Sequence, residues 1–303
     1  GGTIFLKTLL AEYLCQKYGI TVPAEDGVLG RLEEPDEEEL EDSFLRYAGD
    51  VKASRKEATA YHLSGTPEPD GFKNLVTLMV PTDALRSCAR EYGVTVTELL
   101  AAAMMQAIDR LQAEKEPRRS RRKPVKVLIP VNLRNLFPTR TLRNFASYIT
   151  PEIDPRMGDF TFREICAAVH HRMGLENNPH TMQAKFAANV ASERSPVLRV
   201  MPLFVKNLAM KLVFDAVGER KSCLCLSNLG NVRLPEAMAP YVRRMDFIIG
   251  VQAKAPHNCG VLTWNDTVYI NCIRSIREPE LELHFYRVLH QLGLPVKVES
   301  NQR

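Results

Sequence analysis

Histidine and cysteine side chains are the first candidates for chemistry in this sequence. The chain has 303 residues, with seven histidines and seven cysteines. His257 and Cys259 stand two residues apart, and an imidazole beside a thiol can activate it as a nucleophile. Such dyads usually join residues that are distant in the sequence, so a structural role for both side chains is the alternative. Neither the cysteine spacings nor the histidine and carboxylate spacings indicate a metal site.

A run of basic side chains between Arg118 and Lys123 could attract the phosphates of an anionic ligand. The alternative is a solvated loop between a helix and a strand. The run is short and poor in aromatic residues, and the net charge of the chain is only +4. These features do not favour a nucleic-acid-binding protein.

The composition is that of a globular protein, with 45% hydrophobic and 25% charged residues. The odd number of cysteines, most of them in apolar segments, predicts free thiols in a reducing compartment, and we expect the cytoplasm. No stretch reaches the roughly 18 consecutive apolar residues of a membrane span. The chain begins Gly1-Gly2-Thr3, so we expect either an expression boundary or further sequence before Gly1.

Strand and helix patterns alternate along the sequence and predict an α/β protein with a mixed sheet. Thr3 is a candidate cap for a helix that ends near Gly19, and Thr95 or Thr97 for a buried helix. Asn265-Asp266 predicts a hairpin turn. The acidic residues 25–42 predict a linker or a short solvated helix. Predicted strands cover 75–80, 125–131, 144–149, 221–226, 246–252, 260–264 and 267–273; further helices cover 82–93, 98–111, 160–172, 179–217 with breaks at Pro196 and Pro202, and 281–292.

Four ordered segments of the chain together resemble the chloramphenicol-acetyltransferase-like superfamily, which includes condensation domains and alcohol acetyltransferases. The alcohol acetyltransferases are the most similar members, because their motif has the Ser-Asn-Leu-Gly form. The segments are Gly1-Gly2 before the helix with Phe5-Leu6-Lys7, Gly93-Val94-Thr95-Val96-Thr97-Glu98-Leu99-Leu100, Val131-Asn132-Leu133-Arg134 with Asn144 ten residues later, and Leu226-Ser227-Asn228-Leu229-Gly230.

This resemblance implies a two-layer α/β sandwich, a mixed sheet covered by helices. Residues 1–73 would be the end of an N-terminal lobe plus an acidic linker, and residues 74–303 the C-terminal lobe. The implied activity moves an acyl group from CoA, or from a carrier-protein phosphopantetheine, to an alcohol or amine acceptor. Acyl-CoA would be a co-substrate, without a tightly bound cofactor, and the basic run could then attract the CoA phosphates.

The resemblance also implies roles for individual residues. Ser227 would support the oxyanion, and Asn228 would orient the strand end or contact substrate. The alternative is that both residues only make a turn at the end of a strand. Arg134 and Asn144 would fix a loop beside the channel.

The general base of this superfamily is a histidine in a His-x-x-x-Asp motif, and the 303 residues contain no such motif. We expect it immediately upstream of Gly1. If another residue stands there, a non-catalytic binding or regulatory module with the same fold is the alternative function. An unrelated α/β domain is the third possibility, although no Gly-x-Gly-x-x-Gly fingerprint is present.

Overall fold

A computed structural model describes residues 1–50, 58–194, 201–213, 221–252 and 255–302. Within these residues the strands form one mixed sheet with the order β3-β2-β5-β6-β7-β1-β8, and β4 also pairs with β2. The neighbours β2, β5 and β6 run parallel, and the other pairs are antiparallel. The strands are β1 (Asn74–Pro81), β2 (Val125–Asn132), β3 (Ala146–Ile149), β4 (Glu152–Ile153), β5 (Leu224–Asn231), β6 (His257–Trp264), β7 (Thr267–Arg274) and β8 (Lys297–Ser300).

The helices flank this sheet, and four of them contribute to the main core on one face. They are α1 (Gly2–Tyr18), α2 (Glu37–Leu40), α3 (Ser43–Tyr47), α4 (Thr82–Glu91), α5 (Val96–Lys115), α6 (Phe162–Glu176), α7 (Pro179–Glu193), α8 (Leu203–Val213) and α9 (Glu280–Gln291). Helix α5 is central, because it contacts α6, α9 and β2. Of the two predicted caps the structure shows Thr95, which forms a capping box with Glu98, each side chain accepting from the other's backbone N–H.

The main core lies between the sheet and this helix layer. It takes alternate residues of each strand, such as Leu78, Val127, Leu226 and Val261, because successive side chains of a strand point to opposite faces. The predicted α/β sandwich with a mixed, helix-covered sheet is therefore confirmed.

Helix α1 covers part of the opposite face. Its Ala11 and Leu14 pack in a second apolar cluster with Met238, Leu262 and Trp264. The helix ends as predicted at Gly19, whose φ of 65° favours glycine. The predicted cap at Thr3 is wrong, because the helix already begins at Gly2 and Thr3 lies in its first turn.

Residues 246–252 were predicted as a strand, and the structure shows that this is wrong. They lie across the sheet instead of within it, and we call residues 241–250 the strap. A Cβ on Gly260 would stand 2.0 Å from the carbonyl oxygen of Phe247, so only glycine allows this approach. Asn258 donates to the carbonyl of Gly250, and Trp264 Nε1 donates to that of Val242 at 3.2 Å.

The acidic segment forms the short helix α2 and continues into α3, which packs on the loop after β2. The backbone N–H of Leu142 donates to the carbonyl of Glu39 at 2.8 Å, and Thr141 Oγ1 donates to that of Glu41 at 2.6 Å. Phe44 and Tyr47 join a third cluster around Phe145, Phe137 and Phe186. The segment therefore braces this loop.

The predicted hairpin is confirmed, since β6 and β7 pair on either side of Asn265 and Asp266, both with positive φ. The long helical stretch predicted over 179–217 contains α7 and α8, and its residues 195–200 and 214–217 lie outside the described residues. Strand β5 extends further than predicted: Ser227 pairs with Gly260 and lies inside the strand.

Candidate functional site

The end of β5 carries the Ser-Asn motif at the edge of the helix-covered core. Leu224 and Leu226 face that core, so Ser227 and Leu229 face the opposite side of the sheet, about 6.5 Å apart along the strand. Ser227 is half-buried, and its hydroxyl has no hydrogen-bond partner among the described residues. The hydroxyl is therefore free to donate to a ligand on this face.

Asn228 faces the helix side and fixes the strand end. Its Nδ2 donates to Thr97 Oγ1 at the start of α5, at 3.0 Å. Its Oδ1 accepts from the backbone N–H of Gly230 at 2.8 Å. Gly230 has a φ of 73°, and the pairing of β5 with β6 shifts register here. A bulge of this kind turns the chain at the end of a strand and sets the direction of its side chains.

Arg134 closes the loop after β2. Its guanidinium donates to the carbonyls of Thr141, at 2.8 and 3.0 Å, and of Arg143. Gly1 lies against the same loop, since a Cβ on Gly1 would stand 2.0 Å from the carbonyl oxygen of Leu142.

Asn144 lies in the same loop and is exposed. Its side chain makes no hydrogen bond within the described residues, whereas Arg134 makes several. The structure thus brings Arg134 and Asn144 into one loop next to Gly1, and of these two side chains Arg134 is the one that bonds to the loop.

An open pocket of about 870 Å³ lies between α1 and the strap. Gly2 and Thr3 line it at the start of α1, and Leu229 lines it at the end of β5. Ser227 does not itself line the pocket but stands on the same face of β5 as Leu229, two residues away, and Gly2 connects the pocket to the chain beside Arg134. Ser227, Leu229, Gly2 and Arg134 define the candidate site.

The strap, which forms the outer wall of the pocket, was not predicted from the sequence. With its amide oriented to satisfy both neighbours, buried Asn271 donates to Asp246 at 3.1 Å and accepts from the N–H of Phe247 at 3.2 Å. Arg244 pairs with Asp246 and Glu299, and these bonds raise its pKa. Gly260, a glycine inside a strand pattern, was the one available signal of a close backbone approach.

The other candidate groups lie away from this site. Helix α5 separates Thr97 from Lys115 by about 27 Å, at 1.5 Å per residue, so the basic run that follows Lys115 is remote from Asn228. His257 and Cys259 are 4% and 0% exposed, so neither can meet a substrate. Burial lowers the pKa of His257 to about 3.

Cys225 is the thiol of β5 on the face of Ser227. Burial raises its pKa to about 12, with a smaller contribution from Cys259, so it stays protonated and is a poor nucleophile at neutral pH. The described part of the chain holds no cluster of three or more His, Cys, Asp or Glu side chains that could bind a metal ion. Nor does it contain a helix long and apolar enough to cross a membrane.

No protein-family model and no curated protein matches the chain. Solved structures do match. Trichothecene 15-O-acetyltransferase TRI3 from Fusarium sporotrichioides aligns with a TM-score of 0.52 and 13% identity, over 77% of this chain and 49% of that one. The epimerization domain from the third module of tyrocidine synthetase B aligns with a TM-score of 0.51 and 10% identity, over 96% of this chain and 65% of that one.

A third match is the nonribosomal peptide synthetase FmoA3 in its AMPPNP-bound form, with a TM-score of 0.50 and 15% identity, over 78% of this chain and 23% of that one. The chain spans less than two thirds of each of the three structures. At these identities the likeness concerns the fold. The chain therefore has the fold that it shares with this acetyltransferase, this epimerization domain and part of this peptide synthetase.

Proposed function

We propose that this chain is part of an acyltransferase, which moves an acyl group from the thioester of CoA or of a carrier-protein phosphopantetheine to an alcohol or amine. The observation that carries the proposal is the unpartnered hydroxyl of Ser227, on the same face of β5 as Leu229, which lines an open pocket together with the start of α1. The fold matches, which include an acetyltransferase, agree with it.

The chemistry needs a base for the acceptor proton and a donor for the oxyanion of the tetrahedral intermediate. Ser227 is the proposed oxyanion donor, and Asn228 holds the end of its strand on α5. The base is proposed to be the histidine of a His-x-x-x-Asp segment preceding Gly1. Arg134 would hold the loop against which that segment lies.

Helix α1 supports the proposed division into lobes. Its Phe5, Leu9 and Tyr13 are 69%, 55% and 51% exposed, although a helix that is apolar nearly all round is expected to be buried. A preceding lobe that packs on this face would bury these side chains and close the channel over the pocket. Residues 1–73 would then join the two lobes.

Free-thiol release by the full-length protein tests the function, with acyl-CoA and acyl-carrier-protein donors against a panel of alcohols and amines. We expect release that depends on the acceptor. The Ser227→Ala variant should lower kcat by about 10²- to 10³-fold, the effect of one oxyanion donor elsewhere. Ser222→Ala, just before the same strand, is the matched control and should retain activity.

The outcomes separate the two candidate functions. Acceptor-dependent release that Ser227→Ala abolishes supports the acyltransferase. Binding of acyl-CoA without release for any acceptor would instead indicate the non-catalytic module. Release that Ser227→Ala and Ser222→Ala affect equally would refute the role of Ser227.

A further inference from the structure

The pocket beside Ser227 is lined mainly by apolar side chains. Helix α1 supplies one wall, the strap supplies the other, and the ends of β5 and β6 form the floor. The apolar lining residues include Leu6, Leu10, Leu229, Val232, Met245 and Phe247. Pockets that bind drug-sized ligands are also mostly apolar and enclose about 300–1,000 Å³. The volume of about 870 Å³ therefore exceeds what an acetyl group needs.

The α1 wall and the floor of the pocket each expose a large apolar side chain. Leu6 is 63% exposed and Leu229 is 42% exposed, and both line the same cavity. Adjacent apolar side chains rimmed by polar ones indicate a binding surface. An apolar ligand in the pocket would remove both from water.

The shape of the pocket is fixed by contacts outside it. The strap is attached to the sheet by Asn258, Asn271 and Trp264, and Arg244 clamps its middle to Glu299. The wall is thus built before a ligand arrives, which reduces the ordering cost of binding.

The charges of the pocket also restrict the occupant. The carboxylate of Asp246 is paired with Arg244, so it does not face the cavity as a free charge. Lys7 donates to the backbone carbonyl of Asp26 at 2.6 Å. Arg243 also lines the pocket and can pair with a charged end of a ligand, whereas a polar group against Leu6 and Phe247 would lose water without gaining a hydrogen bond.

We infer that the pocket binds a saturated alkyl chain, as part of one of the two substrates. The inference rests on the proposed function and narrows its substrate class from any acyl group or acceptor to one with a long apolar chain. The chain would lie along Leu6, Leu229 and Phe247, with its reacting end toward Ser227. The alkyl chain can belong either to the acyl group of the donor or to the alcohol acceptor.

Calorimetric titration of the full-length protein tests this with two series of ligands. One runs from acetyl- through butyryl-, octanoyl- and dodecanoyl- to palmitoyl-CoA, and the other covers the corresponding straight-chain alcohols. In one series we expect Kd to fall by up to about fourfold for each added methylene until the pocket is full. The heat-capacity change of binding should become more negative over the same range.

A carboxylate placed in the cavity supplies the decisive variant. Leu229→Glu should remove the dependence of Kd on chain length and weaken palmitoyl or long-alcohol binding at least tenfold. Leu283→Glu is the matched control, because Leu283 is similarly exposed, at 45%, but lies on α9. If Leu229→Glu fails to fold, Leu6→Glu repeats the test from the opposite wall.

The series that shows the dependence identifies which substrate carries the chain. Equal affinity along both series, or a chain-length dependence that survives Leu229→Glu, overturns the inference. Turnover of acetyl-CoA without any preference for chain length would retain the acyltransferase and refute the alkyl pocket. Chain-length-dependent binding without thiol release would retain the pocket and refute the acyltransferase.

Discussion

The buried imidazole of His257 makes the stability of the fold dependent on pH. It is 4% exposed, and neither ring nitrogen has a hydrogen-bond partner in the described residues. Burial is the largest cause of its low pKa, of about 3, and the charges of Arg274 and Lys115 lower it further, while Glu278 opposes them. Glu282 lies 3.8 Å away but is itself paired with Arg274.

The sign follows from the two pKa values of His257. In the unfolded chain the imidazole takes up a proton below about pH 6.5, whereas in the folded protein it stays neutral until about pH 3. Acid therefore favours the unfolded state, and the contribution of His257 is lost as the pH falls from 6.5 toward 3. At pH 5 the free energy of unfolding should be lower by about 2 kcal/mol than above neutrality.

Urea unfolding at pH 7.5 and pH 5.0 measures this effect when wild type is compared with His257→Gln. Glutamine cannot take up the proton, so the variant should lose about 2 kcal/mol less than wild type between the two pH values. His171→Gln, on the exposed face of α6, should follow wild type. An acid-induced loss of the same size in His257→Gln and wild type would refute the reasoning.

Two further predictions concern the strap and the end of β5. Gly260→Ala places a methyl group against the Phe247 carbonyl and should lower the free energy of unfolding by about 1–3 kcal/mol. The control Gly174→Ala, with open space around it in α6, should raise this free energy by about 0.5–1 kcal/mol in thermal melts. An unchanged melting temperature for Gly260→Ala would contradict the close approach. A double-mutant cycle of Asn228→Ala with Thr97→Val should give a coupling energy of about 0.5–1.5 kcal/mol for their hydrogen bond, and additive effects would argue against it.

Local patterns were sufficient to predict most elements of the sheet and its helix layer. Strand β2 alternates around Val127 and Ile129, and helix α5 has both its cap at Thr95 and a long apolar run. In these elements the local secondary-structure propensity and the burial of apolar side chains in the core favour the same structure. The hairpin at Asn265 followed for the same reason, because its turn residues tolerate positive φ.

The sequence-based prediction of secondary structure failed for segments whose conformation depends on contacts with residues distant in the sequence. The sequence Ser-Asn-Leu-Gly has the composition of a turn, yet pairing of Ser227 with Gly260 keeps it in β5. Residues 246–252 have the composition of a strand, yet Asn258 and Asn271 hold them over the sheet. These partners lie between 8 residues apart, for Asn258 and Gly250, and 33 residues apart, for Ser227 and Gly260. Local propensity therefore could not reveal them.

The two faces of the sheet explain where the chemistry can lie. The helix-covered face is filled by side chains such as Leu226 and Val261, and a substrate cannot enter it without breaking the core. The opposite face is only partly covered by α1 and the strap, and Leu229, in the same row of β5 as Ser227, lines the pocket there. Because side chains alternate along β5, Asn228 must point into the core side, where it can secure the strand but cannot reach this pocket. In the proposed function, this alternation gives Ser227 the reacting position and Asn228 the holding position, a division that the Ser227→Ala and Asn228→Ala variants test separately through kcat and through stability.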